Sequence, residues 1–151
     1  MKKRVLFLCT GNAARSQMAE ALARLDHGRF LDVVSAGSRP AYEVHSMAVE
    51  VMNELGADMS DATPKFAGDY LLQEFDAVVT VCDHAAQDCP RWPGAVRIEH
   101  WSIEDPSFAP PPARKQSFRE TRDELRQRIS RLVDELTGEE ARRSLDDRPL
   151  I

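Results

Sequence analysis

The stretch Val5-Leu6-Phe7-Leu8-Cys9-Thr10-Gly11-Asn12-Ala13-Ala14-Arg15-Ser16 constrains the chain more than any other. Arg4 to Leu8 is an apolar run suited to a strand buried on both faces. Ser16 to His27 carries Met18, Ala19, Ala21, Leu22, Ala23 and Leu25, good helix formers, and Gly28 stops it. The short loop between them is made mostly of small residues. It can curl round a tetrahedral oxyanion and aim several backbone N–H groups at its centre, at the positive end of a helix. Cys9 sits where the strand ends and Arg15 where the helix begins. A helix N-terminus favours the thiolate of a cysteine facing it, and a guanidinium pairs bidentately with oxyanions. Taken alone, a strand-end cysteine reads as a buried apolar residue and a first-turn arginine as a solvated one. A cation at a helix N-terminus opposes the dipole, however, and an anion between the two accounts for it. The segment therefore reads as a nucleophile, Cys9, beside an oxyanion cradle made of Thr10, Gly11, Asn12, Ala13, Ala14, Arg15 and Ser16.

The remaining chain alternates strand and helix signals. Asp32 to Ala36 reads as a second strand, His45 to Leu55 as a helix stopped by Gly56, and Pro64 to about Phe75 as a helix opened by proline. Asp76 to Val81 is a β-branched third strand and Ala95 to His100 a fourth. Ser102 to Gln116 is proline-rich and irregular, and Ser117 to Thr137 is the longest helix, ended by Gly138. This order predicts an α/β single domain over residues 1–138, a mostly parallel sheet with helices on both faces, and a charged C-terminal tail over 139–151. Ligands bind beyond the carboxyl ends of the strands in such sheets. Cys9 and Cys82 are both placed at such ends.

The 151 residues suit one domain, and a net charge of −5 argues against non-specific binding to nucleic acid or anionic membranes. No apolar run is long enough to span a bilayer. Met1-Lys2-Lys3-Arg4 is basic, but the apolar run after it is too short for a signal sequence, so a cytoplasmic location is expected. Cysteines there are free, metal-bound or catalytic. The three are Cys9, Cys82 and Cys89. Cys82, His84 and Cys89 offer a metal too few ligands at an unfamiliar spacing, so no metal is expected. Asp105-Pro106 reads as a turn cap or as a general acid/base. The four histidines show no ligand spacing, and Trp92 and Trp101 read as packing residues.

Cys9 to Ser16 followed by Met18-Ala19-Glu20, Ser35-Ala36-Gly37 and Asp105-Pro106 resembles the low-molecular-weight protein tyrosine phosphatase superfamily. Val81-Cys82-Asp83, Cys89-Pro90 and His100-Trp101 bring the resemblance closest to its thioredoxin-coupled arsenate reductases. It covers residues 4 to 137 and implies a four-stranded parallel sheet. It also implies a relay for arsenic detoxification. Cys9 attacks arsenate, Cys82 resolves the adduct, and Cys89 moves the disulfide to Cys82–Cys89 for thioredoxin to reduce. Seven residues of helix span about 10 Å, whereas a disulfide needs Cα atoms within roughly 7 Å. The segment between Cys82 and Cys89 must therefore unwind or loop out if the two are to bond. The resemblance makes Asp105 the proton carrier. Ser16 is read as a hydrogen-bond partner of the Cys9 thiolate, and Asn12 as the left-handed residue that shapes the loop. Asn12, Glu20 and Ser35 match positions that bind potassium in some relatives. Lys65 stands at the fourth, and its ammonium is expected to replace the cation by pairing with Glu20.

No tightly bound cofactor is expected, and a monomer is the default. Phosphate or sulfate fits the same loop. The alternatives are a phosphatase using Cys9, Arg15 and Asp105, with some phosphatase activity plausible in either case, and a non-catalytic oxyanion or redox sensor. Glutaredoxin or mycothiol stays open as reductant, although Cys89 favours thioredoxin. Against the phosphatase, Ala14 lacks a neighbouring cysteine common in such loops, and Ser107-Phe108-Ala109 stands where tyrosines often follow the Asp-Pro pair.

Overall fold

The computed structural model describes residues 2–81 and 92–146. Strands β1 (Lys3–Cys9), β2 (Leu31–Gly37), β3 (Phe75–Thr80) and β4 (Ala95–His100) form one sheet in the order β2-β1-β3-β4. Every pairing is parallel, as the alternating pattern predicts. Val5, Leu6 and Phe7 are fully buried because β1 is flanked by strands on both edges and by side chains on both faces.

Helices α1 (Arg15–His27), α2 (Ser46–Asn53) and α3 (Pro111–Asp146) share one core with one side of the sheet. Val5 and Phe7 meet Met18, Leu22, Val51, Met52, Phe118 and Leu125 there. On the other side Leu6, Leu8 and Val78 pack with Phe75, Ala67 and Trp92. Both tryptophans are buried packing residues: Trp92 lies edge-on to Phe75 and Trp101 packs on Phe7. Salt bridges tie the long helix to its neighbours, Arg126 to Asp26 on α1, and Arg119 and Arg122 to Glu54 just past α2.

Three sequence expectations change. Pro64 opens no helix. Lys65 and Phe66 are extended instead, because the Gly37 N–H donates to the Lys65 carbonyl and the Lys65 N–H donates to Asn12. Only one 3-10 turn, Ala67–Tyr70, precedes β3. The long helix begins at Pro111 and not at Ser117, since proline in a first turn gives up only an N–H that has no helical partner there. It also runs through Gly138 to Asp146. One glycine costs a helix about 1 kcal/mol relative to alanine, and the helix formers around it offset that.

The sheet order sets the site. The chain leaves β1 toward β2 and leaves β3 toward β4, so the connections diverge between the two inner strands. Such a switch point opens a crevice at the strands' carboxyl ends. Cys9 lies there, and so does Val81, whose N–H donates to the Leu8 carbonyl at 2.8 Å. Cys82 and Cys89 fall outside the described residues.

Candidate active site

The loop after β1 is held from outside by the chain that follows β2. The carbonyls of Cys9, Thr10, Gly11 and Ala13 accept from the N–H groups of Ser38, Arg39, Ala41 and His45. In a planar trans peptide the N–H points opposite the carbonyl. Carbonyls turned outward therefore turn the N–H groups of Thr10, Gly11, Asn12 and Ala14 inward, as an oxyanion cradle requires. Gly37 lets this segment approach: a Cβ there would stand 2.5 Å from the Thr10 carbonyl oxygen and 3.0 Å from the Asn12 nitrogen.

Cys9 is 7% exposed, on the floor of the loop. Its sulfur accepts the Asn12 backbone N–H at 3.1 Å and lies 2.8 Å from the Ser16 hydroxyl. Asn12 is the one non-glycine residue with positive φ among those described, at 50°. Its side chain is completely buried and works on both sides. Nδ2 donates to Ser16 Oγ at 2.7 Å and to Ser35 Oγ at 3.0 Å, while Oδ1 accepts from the Lys65 N–H at 2.8 Å and Gln17 Nε2 at 3.0 Å.

Glu20 closes the network from α1. Its Oε1 accepts from the Ser35 N–H at 2.8 Å and the Ser35 hydroxyl at 3.2 Å, and lies 3.4 Å from Lys65 Nζ. Its Oε2 pairs with Arg24 at 3.2 Å. Lys65 thus brings both its backbone and its ammonium to the support of the loop, from an extended segment where a helix was expected.

Arg15 faces the crevice from the first turn of α1. One guanidinium nitrogen donates to the Ile103 carbonyl at 2.7 Å, and another lies 3.5 Å from Asp105 Oδ2. Asp105 also caps the 3-10 turn Pro106–Phe108, its Oδ1 accepting the Ser107 N–H and hydroxyl. The cap leaves Oδ2 turned toward Arg15. Arg15 thereby ties the start of α1 to the segment after β4 that carries Asp105. Thr80 and His100 join at the ends of β3 and β4, Oγ1 to Nδ1 at 2.6 Å. No group of metal-ligating side chains occurs among the described residues. No helix of the described chain is long and apolar enough to cross a membrane.

No motif in the sequence singles out Gln17. It lies 1% exposed, its Nε2 shared between Asn12 Oδ1 and the Thr63 carbonyl at 2.9 Å, and its Oε1 buried without a hydrogen-bond partner among the described residues. The available signal was a long polar side chain on the inward stripe of α1, one position past Ser16.

The family model for low molecular weight phosphotyrosine protein phosphatase matches residues 4–142. An arsenate reductase of Bacillus licheniformis is 40% identical over 140 residues, which is 91% of this chain and 99% of the relative. A solved arsenate reductase in the phosphate binding state has a TM-score of 0.77 at 29% identity, covering 89% of this chain and 98% of that one. A thioredoxin-dependent arsenate reductase of Corynebacterium glutamicum has a TM-score of 0.74 at 33% identity, covering 91% of this chain and 63% of that one.

Proposed function

The chain belongs to the low molecular weight phosphotyrosine protein phosphatase family, and within it we propose that it is an arsenate reductase supplied with electrons by a thioredoxin-type dithiol. The observation that carries the reading is the placement of the Cys9 sulfur, which ends a central strand under an inward-facing ring of N–H groups and receives the Asn12 amide. A sulfur so held is a nucleophile with the seat for its electrophile beside it. Arsenate and phosphate share shape and charge, so the cradle alone does not choose between them. Relatives named arsenate reductases, together with Cys82 and Cys89, favour arsenate.

In the proposed cycle Cys9 attacks arsenic, an S–As bond forms, and one arsenate oxygen leaves as water. Asp105 carries the proton to it. Arg15 turns from the Ile103 carbonyl to fork the oxyanion. Cys82 then attacks the Cys9 sulfur. The S–As bond breaks with its electron pair passing to arsenic, which departs as arsenite, and a Cys9–Cys82 disulfide remains. Cys89 attacks Cys82, freeing Cys9 and leaving Cys82–Cys89 for thioredoxin to reduce. Phosphorus does not take up that electron pair, so a phosphoryl adduct on Cys9 could be resolved only by water. The Lys65 ammonium, 3.4 Å from Glu20, fits the role of a built-in cation. A reducing cytoplasm and a monomer complete the reading.

The test is arsenate-dependent NADPH oxidation with thioredoxin and thioredoxin reductase. Wild type turns over; Cys9→Ser, Cys82→Ser and Cys89→Ser each lose turnover. Wild-type turnover in Cys82→Ser would sink the relay. Hydrolysis of an aryl phosphate without any arsenate-dependent oxidation would instead establish the phosphatase.

A further inference from the structure

We infer that Gln17 is a positioning residue that, together with the Lys65 N–H, holds the direction of the proton shared by Ser16 and Cys9. The inference rests on Cys9 as nucleophile and is indifferent to whether arsenic or phosphorus is attacked.

Two backbone groups fix the polarity of the network, because neither can change role. The Lys65 N–H can only donate, so the Asn12 atom 2.8 Å from it is Oδ1. The Thr63 carbonyl can only accept, so the Gln17 atom 2.9 Å from it is Nε2. Gln17 Nε2 then gives its second proton to Asn12 Oδ1, and Asn12 is left with Nδ2 facing Ser16 and Ser35. Ser16 Oγ accepts from that amide. Its only proton is free for the sulfur 2.8 Å away. Ser35 responds alike, accepting from Asn12 and donating to Glu20, a carboxylate that only accepts.

The Cys9 sulfur thus receives two donors, the Asn12 N–H and the Ser16 hydroxyl, the arrangement that suits a thiolate and not a thiol. Were the Asn12 amide reversed, Oδ1 would face the two serines. Ser16 would then turn its proton to Asn12 and leave the thiol proton in place. Gln17 guards against that reversal alongside the Lys65 N–H, both donating to Asn12 Oδ1. Its own Oε1 stays buried without a hydrogen-bond partner among the described residues, a cost a residue kept only for packing would not carry.

The test uses Cys82→Ser/Cys89→Ser protein, in which Cys9 is the only thiol, and reads its alkylation by iodoacetamide against pH without arsenate. Adding Gln17→Met, of similar length but without the amide, is expected to raise the pH of half-maximal alkylation by about one unit, with the thermal melt still cooperative. Gln17→Glu, of the same shape, turns a carboxylate oxygen toward Asn12 Oδ1 and is expected to raise it further. It carries the test alone if Gln17→Met does not fold. An alkylation midpoint unmoved in the folded variants overturns the positioning role, whatever arsenate turnover does. Loss of the functional reading, through a wild type that cannot reduce arsenate, leaves this result standing.

Discussion

A buried carboxylate beside an anion cradle needs a cation, or the loop it supports repels its own ligand. Glu20 is 6% exposed and receives Arg24 from its own helix and Lys65 from the far side of the loop. Arg24 is mostly solvated, while Lys65 is only a quarter exposed and also fixes Asn12 through its backbone. The ammonium is therefore the cation we propose for the support of the loop. Lys65→Ala removes the charge and keeps the N–H bond to Asn12. Arsenate turnover should fall in sodium buffer and recover at least in part when potassium replaces sodium, because a bare cation can refill the place at Glu20. Wild type should be indifferent to the exchange. Steady-state NADPH oxidation in the two salts reads it directly. A large potassium effect on wild type, with none from the substitution, removes Lys65 from this role.

At the scale of the elements, the cradle is a loop shaped from outside. Nothing within Thr10 to Ala14 forces its carbonyls outward; the N–H groups of the segment after β2 do so. That segment gets close enough because β2 ends in Gly37 just before it. The Gly37→Ala methyl would press on the Thr10 carbonyl oxygen at 2.5 Å, which is backbone and cannot rotate away. The substitution should cost about 1–3 kcal/mol of stability, read by thermal or urea unfolding. It should also weaken phosphate binding in calorimetric titration, since the Thr10 and Gly11 N–H groups lose their alignment. The entry of α2 is tied to the same loop. The N–H of His45 holds the Ala13 carbonyl, while its Nδ1 accepts the Met47 N–H and its ring packs on Phe118. One residue thereby joins the cradle, a helix cap and the long helix.

Across the whole molecule, the long helix is clamped to the rest by carboxylates. Hydrogen bonds from Arg119 and then Arg122 bring Glu54 from the ordinary 4.5 down to about 2. The Arg126 hydrogen bond lowers Asp26 below 3.8. A carboxylate lowered in the folded state adds stability that is fully present above its unfolded value and is lost as pH falls through the folded one. The clamps should hold unchanged down to about pH 5 and weaken between pH 4.5 and 2. Melting temperatures of wild type and Glu54→Gln should differ at pH 7 and converge as pH drops toward 2. A difference that stays constant across that range would mean that the pair contributes nothing through charge.

The sequence by itself determined what is local. Apolar runs and helix formers marked all four strands and the cores of the three helices. The Cys9-to-Ser16 spacing marked the proposed nucleophile and its cradle, because a strand, a short loop and a helix in succession leave the loop few shapes. Composition also misled where tertiary bonds outweighed it: Pro64 proposed a helix, but Gly37 and Asn12 hold the backbone of Lys65 extended. The tertiary structure alone decided that the Lys65 N–H and Gln17, itself oriented by the Thr63 carbonyl, would meet at one asparagine side chain and set its polarity. The physical reason is that a hydrogen bond's direction depends on what its partners can accept or donate. Gln17 lies only 5 residues from Asn12, but Lys65 lies 53 away along the chain and becomes a neighbour only once the sheet has closed around β1.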